Sequence, residues 1–97
     1  MRAVLVRSGG FGGLTRTWRA ELPGLSPEGE ARLREAAGAA GFFALPTALP
    51  GTPAPDAFQY LLTIEDGQGS HAVRFDDASA GEELLTLVEV VQDLSGG

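Results

Sequence analysis

Apolar and polar positions along the chain fall into segments of two periods, broken by glycine and proline. Val4, Leu5 and Val6 lie in succession within residues 2–7, a short run that predicts a strand buried on both faces. The segment Ser8-Gly9-Gly10-Phe11-Gly12-Gly13 follows, and residues 14–20 (Leu-Thr-Arg-Thr-Trp-Arg-Ala) read as a second strand. Two strand segments joined by a short glycine-rich stretch make a hairpin, with a loop longer than a two-residue turn. Ser26-Pro27 predicts a helix start, serine as N-cap and proline at the first helical position. Leu33, Ala36, Ala37 and Ala40 recur at helical spacing, and Gly38 and Gly41 end the helix near residue 39. Phe42, Phe43 and Leu45 then read as an apolar plug seating the helix on the sheet.

Residues 46–57 hold four of the six prolines, which excludes a helix or a central strand and predicts a long connecting loop. Phe58, Tyr60, Leu62 and Ile64 alternate with other residues, Asp66-Gly67-Gln68-Gly69 turns the chain, and His71, Val73 and Phe75 alternate on the return. This is a second hairpin. Ser79-Ala80-Gly81-Glu82 has the spacing of a capping box, ahead of an apolar stripe of Leu84, Leu87, Val88 and Val91. The predicted order is ββαββα. It implies an α+β fold in which a four-stranded, largely antiparallel sheet carries two helices packed on one face. The length suits a single domain, residues 1–97.

Charge and composition narrow the function. The net charge is −6, and all seven cations are arginines scattered along the chain, so a phosphate-binding surface is not expected and nucleic acid is not a partner. With no cysteine, neither a disulfide framework nor a thiolate metal site is possible. The N-terminal apolar run is too short for a signal peptide or a membrane span, so the expectation is a cytoplasmic protein with no membrane association.

The residues of known catalytic constellations are missing. A catalytic zinc typically takes three protein ligands, commonly histidines, and this chain has one histidine, His71, in phase with Val73 and Phe75 on a strand. That phase suits a core or edge-strand histidine better than a triad base. The glycine run lacks the lysine of a phosphate loop and leads into a strand rather than a helix. Asp76-Asp77 does not have EF-hand spacing and reads as the charged end of a strand. The chain is therefore expected to need no cofactor, not to be an enzyme, and to act by binding. Two loops stand out. One carries Phe11 among four glycines, either folded back into the core or presented outward; the other is proline-stiffened and carries Asp56, either a plain connector residue or a presented carboxylate.

At these same residues the chain resembles a family. Arg7-Ser8-Gly9-Gly10-Phe11-Gly12-Gly13-Leu14-Thr15-Arg16 with Trp18, then Phe42-Phe43-Ala44-Leu45-Pro46, Phe58-Gln59-Tyr60, Thr63-Ile64-Glu65-Asp66-Gly67 and Val73-Arg74-Phe75-Asp76-Asp77 are similar to the emfourins. These are small bacterial inhibitors of protealysin-like proteases, members of the thermolysin family. The resemblance implies a thermolysin-family zinc metalloprotease as partner, blocked by two loops. One loop directs an aspartate to the enzyme's zinc, and the other sets apolar side chains in its substrate subsites. By position Asp56 takes the first role, with Pro55 beside it. Phe11 takes the second, with Leu14 as a further apolar candidate and Gly10 and Gly12 flanking Phe11. Asp66 is the alternative aspartate. The chain would hold no metal of its own. A non-inhibitory interaction or adaptor module is the other reading.

Overall fold

The two hairpins join through their first strands, and that junction builds the sheet. The computed structural model describes residues 1–9, 13–21, 25–50, 57–67 and 69–95. Strand β1 (Arg2–Gly9) pairs antiparallel with β2 (Arg16–Ala20) on one side and with β3 (Phe58–Glu65) on the other; β4 (Ser70–Asp76) completes the order β2-β1-β3-β4. Helix α1 spans Pro27–Ala40 and α2 spans Glu82–Leu94, so the ββαββα order and the antiparallel four-stranded sheet are both present.

Alternation along each strand sends one set of side chains under the helices. Ala3 and Leu5, Trp18 and Ala20, Tyr60, Leu62 and Ile64, and Val73 and Phe75 are all buried, and α2 closes over them with Leu84, Leu87, Val88, Val90 and Val91. The opposite face is only half-covered. Val4 and Val6 are half-buried while Leu5 is fully enclosed, so β1 is not the doubly buried strand its apolar run suggests.

The start of α1 follows the sequence signal. The Ser26 side chain accepts a hydrogen bond from the Gly29 N–H at 3.0 Å, with Pro27 inside the first turn. The helix runs one residue beyond the expected end and stops at Gly41, whose φ of 59° lets its N–H turn back to the carbonyls of Ala37 and Gly38. A single 3₁₀ turn over Phe42–Ala44 follows. Of the expected plug only Phe42 is fully buried; Phe43 is 44% exposed and Leu45 half-buried. A turn this tight cannot aim consecutive side chains into the same core.

Two further expectations are corrected. The start of α2 is not a capping box. Its N-cap is Gly81, with no side-chain cap bond, because Ser79 is already committed to the strand end. The Ser79 N–H donates to the Asp76 carboxylate at 2.7 Å and the Asp76 N–H donates to Ser79 Oγ at 3.0 Å. That reciprocal turn satisfies the buried Asp76 carboxylate and leaves Glu82 as the first helical residue. The proline-rich connector, in turn, contributes to the sheet. Ala48 bridges Arg74 in parallel, with Leu49 N–H to Arg74 O at 2.9 Å and Arg74 N–H to Thr47 O at 2.8 Å. Pro46 and Pro50 confine the bridge to three residues, enough to cover part of the outer edge of β4. Among the described residues nothing pairs with the outer edge of β2.

Candidate functional site: the loop end of the sheet

The register of β1 against β3 decides which loops share an end. Gly9 lies opposite Phe58 and Arg2 lies opposite Glu65. The C-terminal end of β1 and the N-terminal end of β3 are therefore neighbours, and so are the roots of the glycine loop and the proline-rich loop. The approach is close. Gly9 has φ of 96°, and a Cβ placed on it would lie 2.8 Å from the Ala57 carbonyl oxygen. Only glycine fits a positive φ against a backbone atom at that distance.

One residue further into the sheet, Arg7 faces Arg16 on β2 and Tyr60 on β3, and Tyr60 faces Phe75 on β4. In this row Tyr60 and Phe75 are buried, Arg7 is half-buried and Arg16 is exposed. The Arg7 guanidinium carbon sits 4.4 Å from the centre of the Phe58 ring and 5.0 Å from that of Trp18, and Arg16 stacks on Trp18 at 4.7 Å. Arg16, Trp18, Arg7 and Phe58 thus alternate cation and ring across three strands, tying the stem of one loop to the root of the other. Tyr60 and Phe75 stack with ring centres 5.3 Å apart. The Phe58 N–H reaches the Asp77 carboxylate at 3.4 Å, linking β3 to the turn before α2.

Burial first, and then the Asp77 carboxylate beside it, hold the Tyr60 phenol above its usual value, with Arg7 pulling the other way. A raised phenol contributes stability that is present below the unfolded value of about 10 and is lost as pH rises through the folded one. Tyr60 is the only tyrosine, so tyrosinate absorbance reports it alone. The titration midpoint is expected above that of the chain in denaturant, and Asp77→Asn is expected to lower it. A native midpoint equal to the denatured one would remove Asp77 from the site.

Of the residues singled out in the sequence, Gly10, Phe11, Gly12, Pro55 and Asp56 lie outside the described residues. Leu14 is described and is 80% exposed, an unprotected apolar side chain between the left-handed Gly13 and the start of β2, which begins at Arg16 rather than at residue 14. Asp66 sits in the β3–β4 turn at the opposite end of the sheet. Seven residues of strand separate it from the Phe58 end by roughly 23 Å. Its carboxylate accepts a hydrogen bond from Gly69 N–H at 3.1 Å, closing that turn. His71 is half-buried on the edge strand β4, its Nε2–H donating to the Leu45 carbonyl at 2.7 Å. Among the described residues no group of three or more His, Asp or Glu side chains converges as metal ligands would. Among the described residues the larger surface concavities are partly open to solvent. Arg7, Phe58 and Asp77 escape a reading of the sequence because their partners are set by cross-strand register, which alternation does not specify.

This end of the sheet is a rim with an exposed leucine, stacked arginines and two adjacent loop roots, suited to covering a protein surface. No described helix is long and apolar enough to cross a membrane. In comparisons with known proteins, the family described as Emfourin matches residues 5–92. No curated protein and no solved structure is significantly similar to the chain.

Proposed function

The chain belongs to the emfourin family, whose membership points to protease inhibition, and on that premise we propose that it inhibits a thermolysin-family zinc metalloprotease by occupying the active-site cleft. The observation that carries the reading is the contact between Gly9 and Ala57, which roots both candidate loops at one end of the sheet. Two loops with adjacent roots, and Leu14 exposed ahead of β2, can enter one cleft together. Loops rooted at opposite ends could not.

In this reading Asp56 supplies a carboxylate oxygen to the enzyme's zinc at about 2.0–2.2 Å, displacing the water that the metal activates. Phe11 and Leu14 occupy apolar subsites, and Gly10 and Gly12 let the backbone of the first loop follow the cleft. A side-chain carboxylate offers the enzyme no peptide bond to cut. Pro55 and its neighbouring prolines reduce the freedom lost on docking. The position of Asp66 at the far end of the sheet from both loop roots supports Asp56 as the zinc-directed carboxylate.

The test is inhibition of a protealysin-like enzyme by the purified protein. Asp56→Ala is expected to raise the inhibition constant about thirtyfold or more, the effect of losing a hot-spot residue of 2 kcal/mol. Asp66→Ala is expected to leave it unchanged. Inhibition that survives Asp56→Ala and disappears in Asp66→Ala would transfer the zinc contact to the other end of the molecule and overturn the two-loop reading.

A further inference from the structure

The arginines divide into two groups. Arg2 pairs with Glu21 at 2.9 Å and Glu65 at 3.6 Å, Arg32 with Asp93 at 3.1 Å and Arg34 with Glu30 at 3.2 Å. Arg7, Arg16, Arg19 and Arg74 have no such carboxylate among the described residues, and of these Arg7 and Arg16 are neighbours. They lie directly opposite one another in the β1–β2 register, where like charges repel. The chain carries 13 acidic residues against seven cations, so carboxylates are not scarce. The rings of Trp18 and Phe58 take up part of this charge, but they engage the guanidinium faces. Arg7 also faces the Tyr60 phenol, which takes one of its donors; exposed Arg16 keeps the donors that bind carboxylates bidentately. Arg16 is exposed, two residues from the exposed Leu14.

We propose that the Arg7–Arg16 pair is an anion-recognition element of the inhibitory surface, and that it receives an aspartate or glutamate side chain from the rim of the target protease's cleft. This rests on the inhibitor reading above and adds to it a charged contact beside the apolar and zinc-directed ones. The ligand is a single protein carboxylate rather than a polyanion. A chain of net charge −6 repels nucleic acid, and two arginines are too few to neutralise a phosphate chain. Both guanidinium groups lie within 5.0 Å of the Trp18 ring centre, a contact that limits their freedom before binding.

The test combines two probes. Association and dissociation rates with a thermolysin-family protease are measured for the wild type, Arg16→Gln and Arg16→Glu between low and high sodium chloride. Association is expected to slow about threefold in Arg16→Gln and about tenfold in Arg16→Glu, with a shallower salt dependence in both, as for a charged contact at an interface rim. Reversal of one acidic residue on the protease rim should restore association to Arg16→Glu. Equal losses in Gln and Glu variants, with unchanged salt dependence, would make the pair a structural brace and overturn the proposal. The second probe needs no protease. Trp18 is the only tryptophan, and its emission is followed during titration with hexaglutamate and, as control, hexalysine. A saturable, salt-sensitive change with hexaglutamate alone, absent in Arg16→Gln, is expected. If the wild type inhibits nothing, the inhibitor reading fails while this arm still decides the anion site; no response to hexaglutamate overturns it.

Discussion

Replacing Phe42 by alanine is expected to cost about 3–5 kcal/mol, as for other fully buried aromatic residues. Phe42 has no exposed surface and makes edge-to-face contacts with Phe43 and His71, each with ring centres 5.5 Å apart. It is placed there by the left-handed Gly41 that ends α1 and by the 3₁₀ turn that follows. Its removal opens a cavity where α1, the turn and the sheet meet, and that loss is a large part of the 5–15 kcal/mol typical of a whole domain. The neighbouring Phe43, 44% exposed, is expected to lose less than about 1 kcal/mol in the same substitution. Urea denaturation of the two variants separates them. The midpoint should fall steeply for Phe42→Ala with little change in slope. Equal losses would mean that Phe42 and Phe43 share the core and that the 3₁₀ turn sends both rings inward.

Gly9→Ala is expected to cost about 2–3 kcal/mol and to lower the melting temperature by roughly 10–20 °C. The residue combines φ of 96° with an approach of 2.8 Å between a Cβ and the Ala57 carbonyl oxygen, so the new methyl group has to push the two loop roots apart. Gly13 provides the comparison. It also has a positive φ, 62°, but nothing lies within 4 Å of its Cβ position, so Gly13→Ala meets only the cost of a left-handed conformation, about 1 kcal/mol. Thermal unfolding followed by circular dichroism measures both. A Gly9→Ala protein as stable as Gly13→Ala would show that the clash relaxes freely and that the two roots are not held in contact. If the loops act together, Gly9→Ala should also weaken protease inhibition below the unfolding temperature, and Gly13→Ala much less.

Much of this architecture is legible in the sequence because its causes are local. Alternation at Phe58, Tyr60, Leu62 and Ile64 and at Val73 and Phe75 marks the buried face of β3 and β4. Ser26-Pro27 marks the start of α1, and the apolar stripe from Leu84 to Val91 marks the buried face of α2. Local signals also misled. Ser79 has capping-box spacing, but a buried carboxyl group at Asp76 competes for its N–H and wins, because an unsatisfied buried polar group costs more than an uncapped helix end in water. Phe42 and Phe43 look alike until the turn that carries them sends one inward and one out.

The candidate site was half legible. Glycine around Phe11 and proline around Asp56 marked two unusual loops, and exposed Leu14 fits that reading. Which loops stand together was not. A period of two says which face a side chain takes and nothing about which strand lies beside it, since strand neighbours depend on contacts between residues about fifty positions apart. Those contacts set Gly9 against Phe58, stacked Arg7 between Trp18 and Phe58, and carried Asp66 to the far end. The sequence by itself determined the elements, their order, most of the buried face and the absence of cysteine and lysine. Tertiary structure alone decided the pairing of β1 with β3, and with it the one rim where two loop roots and a pair of arginines meet.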